Sequence, residues 1–390
     1  MPWPSICLMR KSFIKIFNKH ALLAFVALVL LSSCGNRTGF SQEGGDTLHL
    51  KYSSLLSIVR YEGYTEVNIR NPWKEGRILQ TYLLVPQNTQ QPEHLPHGTI
   101  IRTPIQRAAI FTTVHCSLVT MLGHGEDIVG VADLKYIKVP FIQEQVKKGR
   151  ITDCGSGLSP VVEKIIDVKP DVILLSPFEN SGGYGKLEEI DIPLVECAEY
   201  MENSPLARAE WMKVYGMLLG EEQKTDSLFD VVDKNYHLLM AEAQKAGAGR
   251  SVLVDKMVGS VWYVPGGNST IGQMLQDAGG QYPWADDDHS GSISLPFEAV
   301  LEKAGSAEVW LYRYSSDHAQ NYHELLSEHH GYKQLQAFAD RNVYGCNVEQ
   351  SLFYEETPFR PDWLLSDFIQ ILHPDIPNKV PLRYYQKLNE

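Results

Sequence analysis

Paired cysteines, positive charge and long apolar runs are all scarce in this sequence. Its six cysteines are widely spaced with no Cys-x-x-Cys pair, so the spacing that zinc sites and redox dithiols use is missing. Lys and Arg number 35 against 47 Asp and Glu, a formal charge of −12. That balance argues against nucleic acid, whose phosphates attract basic patches. There is no His-Glu-x-x-His helix, no Gly-x-Ser-x-Gly elbow and no phosphate loop with its lysine, so metallopeptidase, serine-hydrolase and nucleotide-binding readings lose their motifs. No catalytic residue, resident metal or intrinsic cofactor is assigned. The most apolar run, 21–31 (ALLAFVALVLL), is well short of the roughly 20 residues that span a bilayer.

That run has the length of a signal-peptide core. Arg10, Lys11, Lys15 and Lys19 precede it without an acidic residue, and Leu31-Ser32-Ser33-Cys34 follows it. The tetrad resembles the lipobox of bacterial lipoproteins, which implies cleavage before Cys34 and acylation of its thiol. Met9 is an alternative start. Residues 1–33 are therefore read as a signal peptide and 34–56, beginning polar and Gly-rich, as a tether. No dense acidic run follows Cys34, so a periplasm-facing lipoprotein anchored to a bacterial membrane is expected. Removing the four basic signal residues takes the charge to −16 (−12 minus 4). Of the remaining cysteines, Cys116, Cys154, Cys197 and Cys346, either one disulfide or buried free thiols fits the spacing.

The 357 residues from Cys34 onward exceed one ordinary domain. Three β-type runs occupy 57–61, 65–69 and 78–85, and 86–98 is a Pro- and Gln-rich loop. From 99 short apolar strands alternate with helices, the pattern of a parallel α/β layer. Expected strands are 107–111, 128–132, 171–175 and 193–197, with helices at 117–122 and 160–168 and one beginning at 187. Residues 205–245 break the alternation with two helices. The second, 221–245, would be about 37 Å long and carries an apolar stripe at 228, 231, 232, 236, 239, 240 and 243. Alternation then resumes, with strands at 251–255, 261–264, 308–312 and 342–346 and helices at 270–278, 296–303, 331–338 and 361–372. The expected fold is α/β: two Rossmann-like lobes, 57–204 and 248–390, bridged by one long helix within 205–247. The first lobe carries the additional N-terminal strands.

Residues 107–131 (RAAIFTTVHCSLVTMLGHGEDIVGV), 155–175 (GSGLSPVVEKIIDVKPDVILL) and 186–197 (KLEEIDIPLVEC) resemble, in order and spacing, the substrate-binding proteins of ABC importers for ferric siderophores, haem and cobalamin. The resemblance runs from about 99 to 373. It implies a monomeric, non-enzymatic receptor that holds a metal chelate in the interlobe cleft and delivers it to an ABC permease and its ATPase. It also implies that Glu163, before Lys169-Pro170-Asp171, and Glu298, in Leu295-Pro296-Phe297-Glu298, dock on the permease, one per lobe. Such paired carboxylates set register and on-rate more than affinity.

Strand ends facing the cleft supply the candidate ligand residues. In the first lobe these are Thr113, His115, Tyr136, Phe178 and Tyr184; in the second, Trp262, Tyr263, Arg313, Phe353, Tyr354 and Arg360. Aromatic faces suit a large planar ligand, and arginine pairs with its carboxylates. Two other readings stand beside this one. His318, His323, His329 and His330 invite a metal-ion receptor or hydrolase, although their spacing does not place them on one helical face. A structural lipoprotein with a closed cleft would bind nothing.

Overall fold

The computed structural model of the chain describes residues 44–179, 183–377 and 380–389; residues 1–33, read above as a signal peptide, and Cys34 lie outside them. The three N-terminal β-type runs form strands Leu56–Tyr61, Tyr64–Arg70 and Ile78–Pro86, which pair antiparallel. Alternation sets their faces: Ile58, Val67, Ile69, Tyr82 and Leu84 point into the main core, and Tyr64, Leu83 and Val85 into a small cluster behind. Two edges differ from the sequence reading. Asp46–Leu48, placed in the tether, pairs with Leu56–Tyr61. Thr99–Thr103 runs parallel to Ile78–Pro86 and completes this five-stranded sheet, with Ile101 buried, rather than opening the α/β layer.

Two buried carboxylates strap this sheet to the rest of the chain. Glu210 accepts the backbone N–H groups of Lys51, Tyr52 and Ser53 at 2.9, 2.8 and 2.9 Å. Glu202 accepts those of Ser54 and Leu55 at 3.0 and 3.2 Å and the Trp211 indole at 2.8 Å. A loop whose N–H groups converge in this way would otherwise carry unmatched donors.

The first lobe is a parallel sheet in the spatial order Leu194–Glu196, Val172–Leu175, Ala108–Ile110, Ile128–Val131, Thr152–Asp153. Its inner strands are buried on both faces, which is why they read as continuous apolar runs. Helix Thr113–Met121 starts four residues before the expected one, and Pro140–Lys147, opened by its proline, was not anticipated. Helix Val162–Val168 stops at Lys169, which takes a left-handed conformation (φ 45°) before Pro170. The segment expected to begin a helix at 187 is a 3₁₀ turn, Gly185–Glu189.

The bridge consists of Pro205–Glu210, Met212–Leu219 and the 25-residue helix Glu222–Ala246. The long helix buries Thr225, Phe229, Val232, Tyr236 and Ala243, a stripe at helical spacing, each large apolar side chain contributing about 1.5–3 kcal/mol. Val231, assigned to that stripe from sequence, faces water. Where Met212–Leu219 crosses the long helix, a Cβ on Gly216 would lie 2.1 Å from Thr225 Oγ1, so only glycine fits.

The second lobe has parallel strands Val252–Val254, Val309–Tyr314 and Val343–Asn347, with Gln386–Lys387 antiparallel at the edge. Val261–Pro265 is not in this layer; it belongs to an antiparallel ribbon with Met257–Val258 and Ser292–Leu295. Helix Pro361–Leu372 has its expected limits. Residues 331–338 split into a 3₁₀ turn, His330–Gln334, and the short helix Gln336–Ala339, and helices Tyr322–Glu328 and Phe353–Glu356 are additional. Cys116, Cys154, Cys197 and Cys346 are free and buried. No helix among the described residues is long and apolar enough to cross a membrane.

Candidate functional site

The second lobe builds its wall of the interlobe region from the end of strand Val252–Val254. The Trp262 indole donates to Val254 O at 2.9 Å and the Trp310 indole to Asp255 O at 2.7 Å. These two bonds hold Asp255 in a left-handed conformation (φ 61°), a region that aspartate tolerates better than most residues. Its carboxylate then accepts Arg313 Nε and Nη2 at 2.9 and 2.6 Å, the bidentate geometry that suits a guanidinium. Asp255 raises the Arg313 pKa against the opposing effect of burial. Arg313 lies over the rings of Phe353 and Tyr354, 5.6 and 5.9 Å from their centroids.

The first lobe and the bridge contribute a buried polar cluster. His115 Nε2 hydrogen-bonds Tyr215 Oη at 2.8 Å and lies 3.5 Å from Glu199 Oε2, which accepts from Tyr215 at 3.1 Å; Thr112 holds the other ring nitrogen. Cys197 stands beside them. His115, Cys197 and Glu199 form the one grouping of metal-capable side chains among the described residues, and all three are buried. Burial opposes the imidazolium, but Cys197 and the Glu199 carboxylate outweigh it and push His115 up to about 10. Burial likewise opposes the Glu199 carboxylate, and His115 and Arg208 outweigh it, holding Glu199 down at about 2.

This pair predicts a pH signature. A histidine whose pKa rises from 6.5 in the unfolded chain to about 10 stabilises the fold fully below 6.5 and loses that contribution as pH climbs through 10. Denaturant unfolding should therefore show stability falling between those values, by on the order of a few kcal/mol. In His115→Gln the alkaline slope should flatten. Equal slopes in the two proteins would contradict the buried ion pair.

The lobes touch directly. Thr113 Oγ1 and Lys138 N both donate to Glu355, at 2.9 and 3.1 Å, and Lys138 Nζ reaches Glu349 at 2.5 Å. Helix Phe353–Glu356 packs on helix Thr113–Met121. These contacts leave an interlobe cavity of about 170 Å³. Arg313, Phe353 and Tyr354 line it from the second lobe, with Thr270 at the start of helix Thr270–Asp277; Val114 and Arg208 line it from the other side. Arg208 was missed in the sequence because it lies inside the segment that reads as linker. The signal available was its position in the first turns of a Pro-initiated helix capped by Ser204.

The other sequence-predicted residues are dispersed. His115 is fully buried in the cluster above, and Trp262 is fully buried among Phe297, Trp310 and Tyr332, so neither reaches the cavity. Strand-end position puts both near the cleft, but their side chains point into the protein. Arg360 is held by Asp362 at 2.9 and 2.7 Å and stacks on Trp363, which occupies its charge elsewhere. Thr113 joins the lobes. Phe178 and Tyr184 share a separate first-lobe hollow of about 330 Å³ with residues 157–160. Tyr136 is exposed under Lys135, and Tyr263 is exposed on the ribbon. Glu163 and Glu298 are both exposed, each in the first turn of its helix, Val162–Val168 and Phe297–Ala304. The 318–330 histidines do not gather: His318 pairs with Asp317 and Glu324, while His329 packs on Phe297 and Tyr332.

Two α/β lobes, a bridging helix and a recess between them define a two-lobe solute-binding fold. The chain belongs to the periplasmic binding protein family, whose model matches residues 109–349. Binding proteins of this family bind small ligands and work with ABC permeases. An uncharacterized lipoprotein of Methanocaldococcus jannaschii is 25% identical over 364 residues, 87% of this chain and 85% of that one. Among solved structures, a molybdate-bound periplasmic binding protein of Haemophilus influenzae matches 70% of this chain and 88% of its own, with TM-score 0.57 and 17% identity. A periplasmic haem-binding protein of Pseudomonas aeruginosa matches 73% and 99%, with TM-score 0.56 and 16% identity. Likeness at these identities describes the fold, with ligands belonging to those proteins alone.

Proposed function

We propose that this chain is the capture component of an ABC importer, held on the membrane by lipid at Cys34, and that its cargo is a metal chelate bound between the lobes. The interlobe cavity carries this reading, because Arg313, with Nε and Nη2 anchored on Asp255 and Nη1 left over, lines it beside the rings of Phe353 and Tyr354. An iron chelate, as a ferric siderophore or haem, offers the carboxylates and flat faces that such a wall recognises, and cobalamin offers aromatic packing. At about 170 Å³ the cavity is smaller than the about 300 Å³ at which pockets for drug-sized ligands begin. Whole chelates therefore enter only when the Thr113–Glu355 and Lys138–Glu349 contacts part, or leave part of themselves outside. Glu163 and Glu298, exposed on separate lobes, are the proposed permease contacts. The tether raises the local concentration of receptor beside its permease without a new contact. The test is absorbance and calorimetry of the purified protein with ferric citrate, a ferric hydroxamate, haem and cobalamin in turn. Retention of one of them is expected; retention of none would remove the reading.

A further inference from the structure

Among the described residues, Arg208 makes no side-chain hydrogen bond or ion pair, and its Nε is buried without a partner. Guanidinium groups keep their proton in proteins, so this one cannot relieve its position by becoming neutral. A donor buried without an acceptor, as its Nε is, costs stability, while the Nη atoms remain accessible from the cavity side. Its neighbours do not supply one. Glu199, the nearest acidic influence on it, already serves His115 and Tyr215. Across the cavity Asp255 is taken by both ends of Arg313. Arg208 therefore stands on the cavity wall with its Nε unmatched, and Arg313 lines the same space from the second lobe. Thr270 and the first turn of helix Thr270–Asp277 face the same space, and a helix start favours negative charge. The cavity is too small for a whole chelate but has room for a compact polyatomic group.

We propose that Arg208 is a ligand-binding residue and that the cavity takes a compact oxyanion group, either a free oxyanion or the carboxylate end of a metal chelate. This rests on the reading of the interlobe cavity as the ligand site and adds what the ligand must carry. The planar Arg208 guanidinium offers two parallel donors to two oxygens, Arg313 adds only its Nη1 because Asp255 takes Nε and Nη2, and Tyr354 lines the outer side.

Calorimetry on the detergent-solubilised full-length protein tests it, with sodium molybdate, sodium phosphate, ferric citrate and cobalamin as probes. Wild type and the variants Arg208→Gln and Arg208→Lys are compared, and the melting temperature of each unliganded protein is recorded. At least one anionic probe should bind wild type and weaken about 30-fold or more in Arg208→Gln, with partial recovery in Arg208→Lys. The unliganded Arg208→Gln protein should melt no lower than wild type, since it loses a buried Nε donor that has no acceptor. Binding of molybdate or phosphate identifies a free oxyanion; binding of ferric citrate without either identifies the chelate arm. An anionic probe held equally by wild type and Arg208→Gln overturns the inference, as does a marked fall in the melting temperature of that variant. Cobalamin alone binding, unchanged by the substitution, overturns it while leaving the cleft as the ligand site. No binding by any of these probes overturns the inference, and the cleft reading itself falls only if haem and a ferric hydroxamate are not retained either.

Discussion

Replacing Glu163 and Glu298 together by alanine should reduce import to the level of a strain without the receptor, while calorimetric affinity for the retained ligand stays within about twofold. The separation follows from geometry. Both carboxylates are exposed in the first turns of helices Val162–Val168 and Phe297–Ala304, and neither lines the interlobe cavity. Among the described residues neither has a salt bridge whose loss would disturb the fold, so the melting temperature should also hold. Each single variant should retain part of the transport, because two exposed charges on separate lobes contribute to docking in parallel. Since such charges act chiefly on encounter, import by the single variants should fall further as salt is raised. A double variant that imports at the wild-type rate would remove these two residues from the permease contact.

The second large effect concerns the added N-terminal sheet. Glu210→Ala should destabilise the protein by about 3 kcal/mol and lower its melting temperature by roughly 5–10 °C. Glu210 is fully buried and takes three consecutive backbone donors from residues 51–53, bonds that a charged acceptor makes stronger than usual. Without it those donors lose their acceptor and the strap to helix Pro205–Glu210 loosens, so proteolysis within residues 49–55 should accelerate. Glu210→Gln keeps one carbonyl acceptor and should fall between the two. A melting temperature within a degree or two of wild type in Glu210→Ala would mean that the sheet is held by its apolar face alone.

Much of the architecture could be read from residue pattern. The two-lobe plan followed from alternation of apolar strands and helices broken once at 205–245, and helix Pro361–Leu372 was bounded by its proline and its apolar run. Edges were harder. Asp46–Leu48 has no apolar alternation and becomes a strand only because Leu56–Tyr61 offers it a free edge. Thr99–Thr103 pairs with a strand 13 or more residues earlier, a relation that no local pattern encodes. Val261–Pro265 has strand composition in either sheet, so its placement in the ribbon is a tertiary outcome.

The site was less legible, for a physical reason. Position at a strand end says that a residue is near the cleft but not which way its side chain turns. Arg313 and Tyr354 turn toward the cavity; Trp262 and His115 turn inward, each satisfied by a buried partner, Val254 O for the indole and Tyr215 for the imidazole. Phe353 does both, lying almost fully buried while one face closes the cavity. Arg208 shows the converse. On a helix within the linker it looks like one more solvated cation, and only the folded chain places it on the cavity wall with its Nε buried and unpartnered.

The most direct measurement of the central claim, that ligand is held between the lobes, is binding of whichever chelate or anion the wild-type protein retains, repeated on Thr357→Trp. Thr357 lines the cavity, is partly exposed, and bonds only to Phe353 O of its own short helix, so an indole there fills the recess without removing a lobe contact. The expected result is loss of calorimetric binding with the unfolding transition retained. Binding at wild-type affinity in a folded Thr357→Trp protein would place the ligand elsewhere and contradict the account.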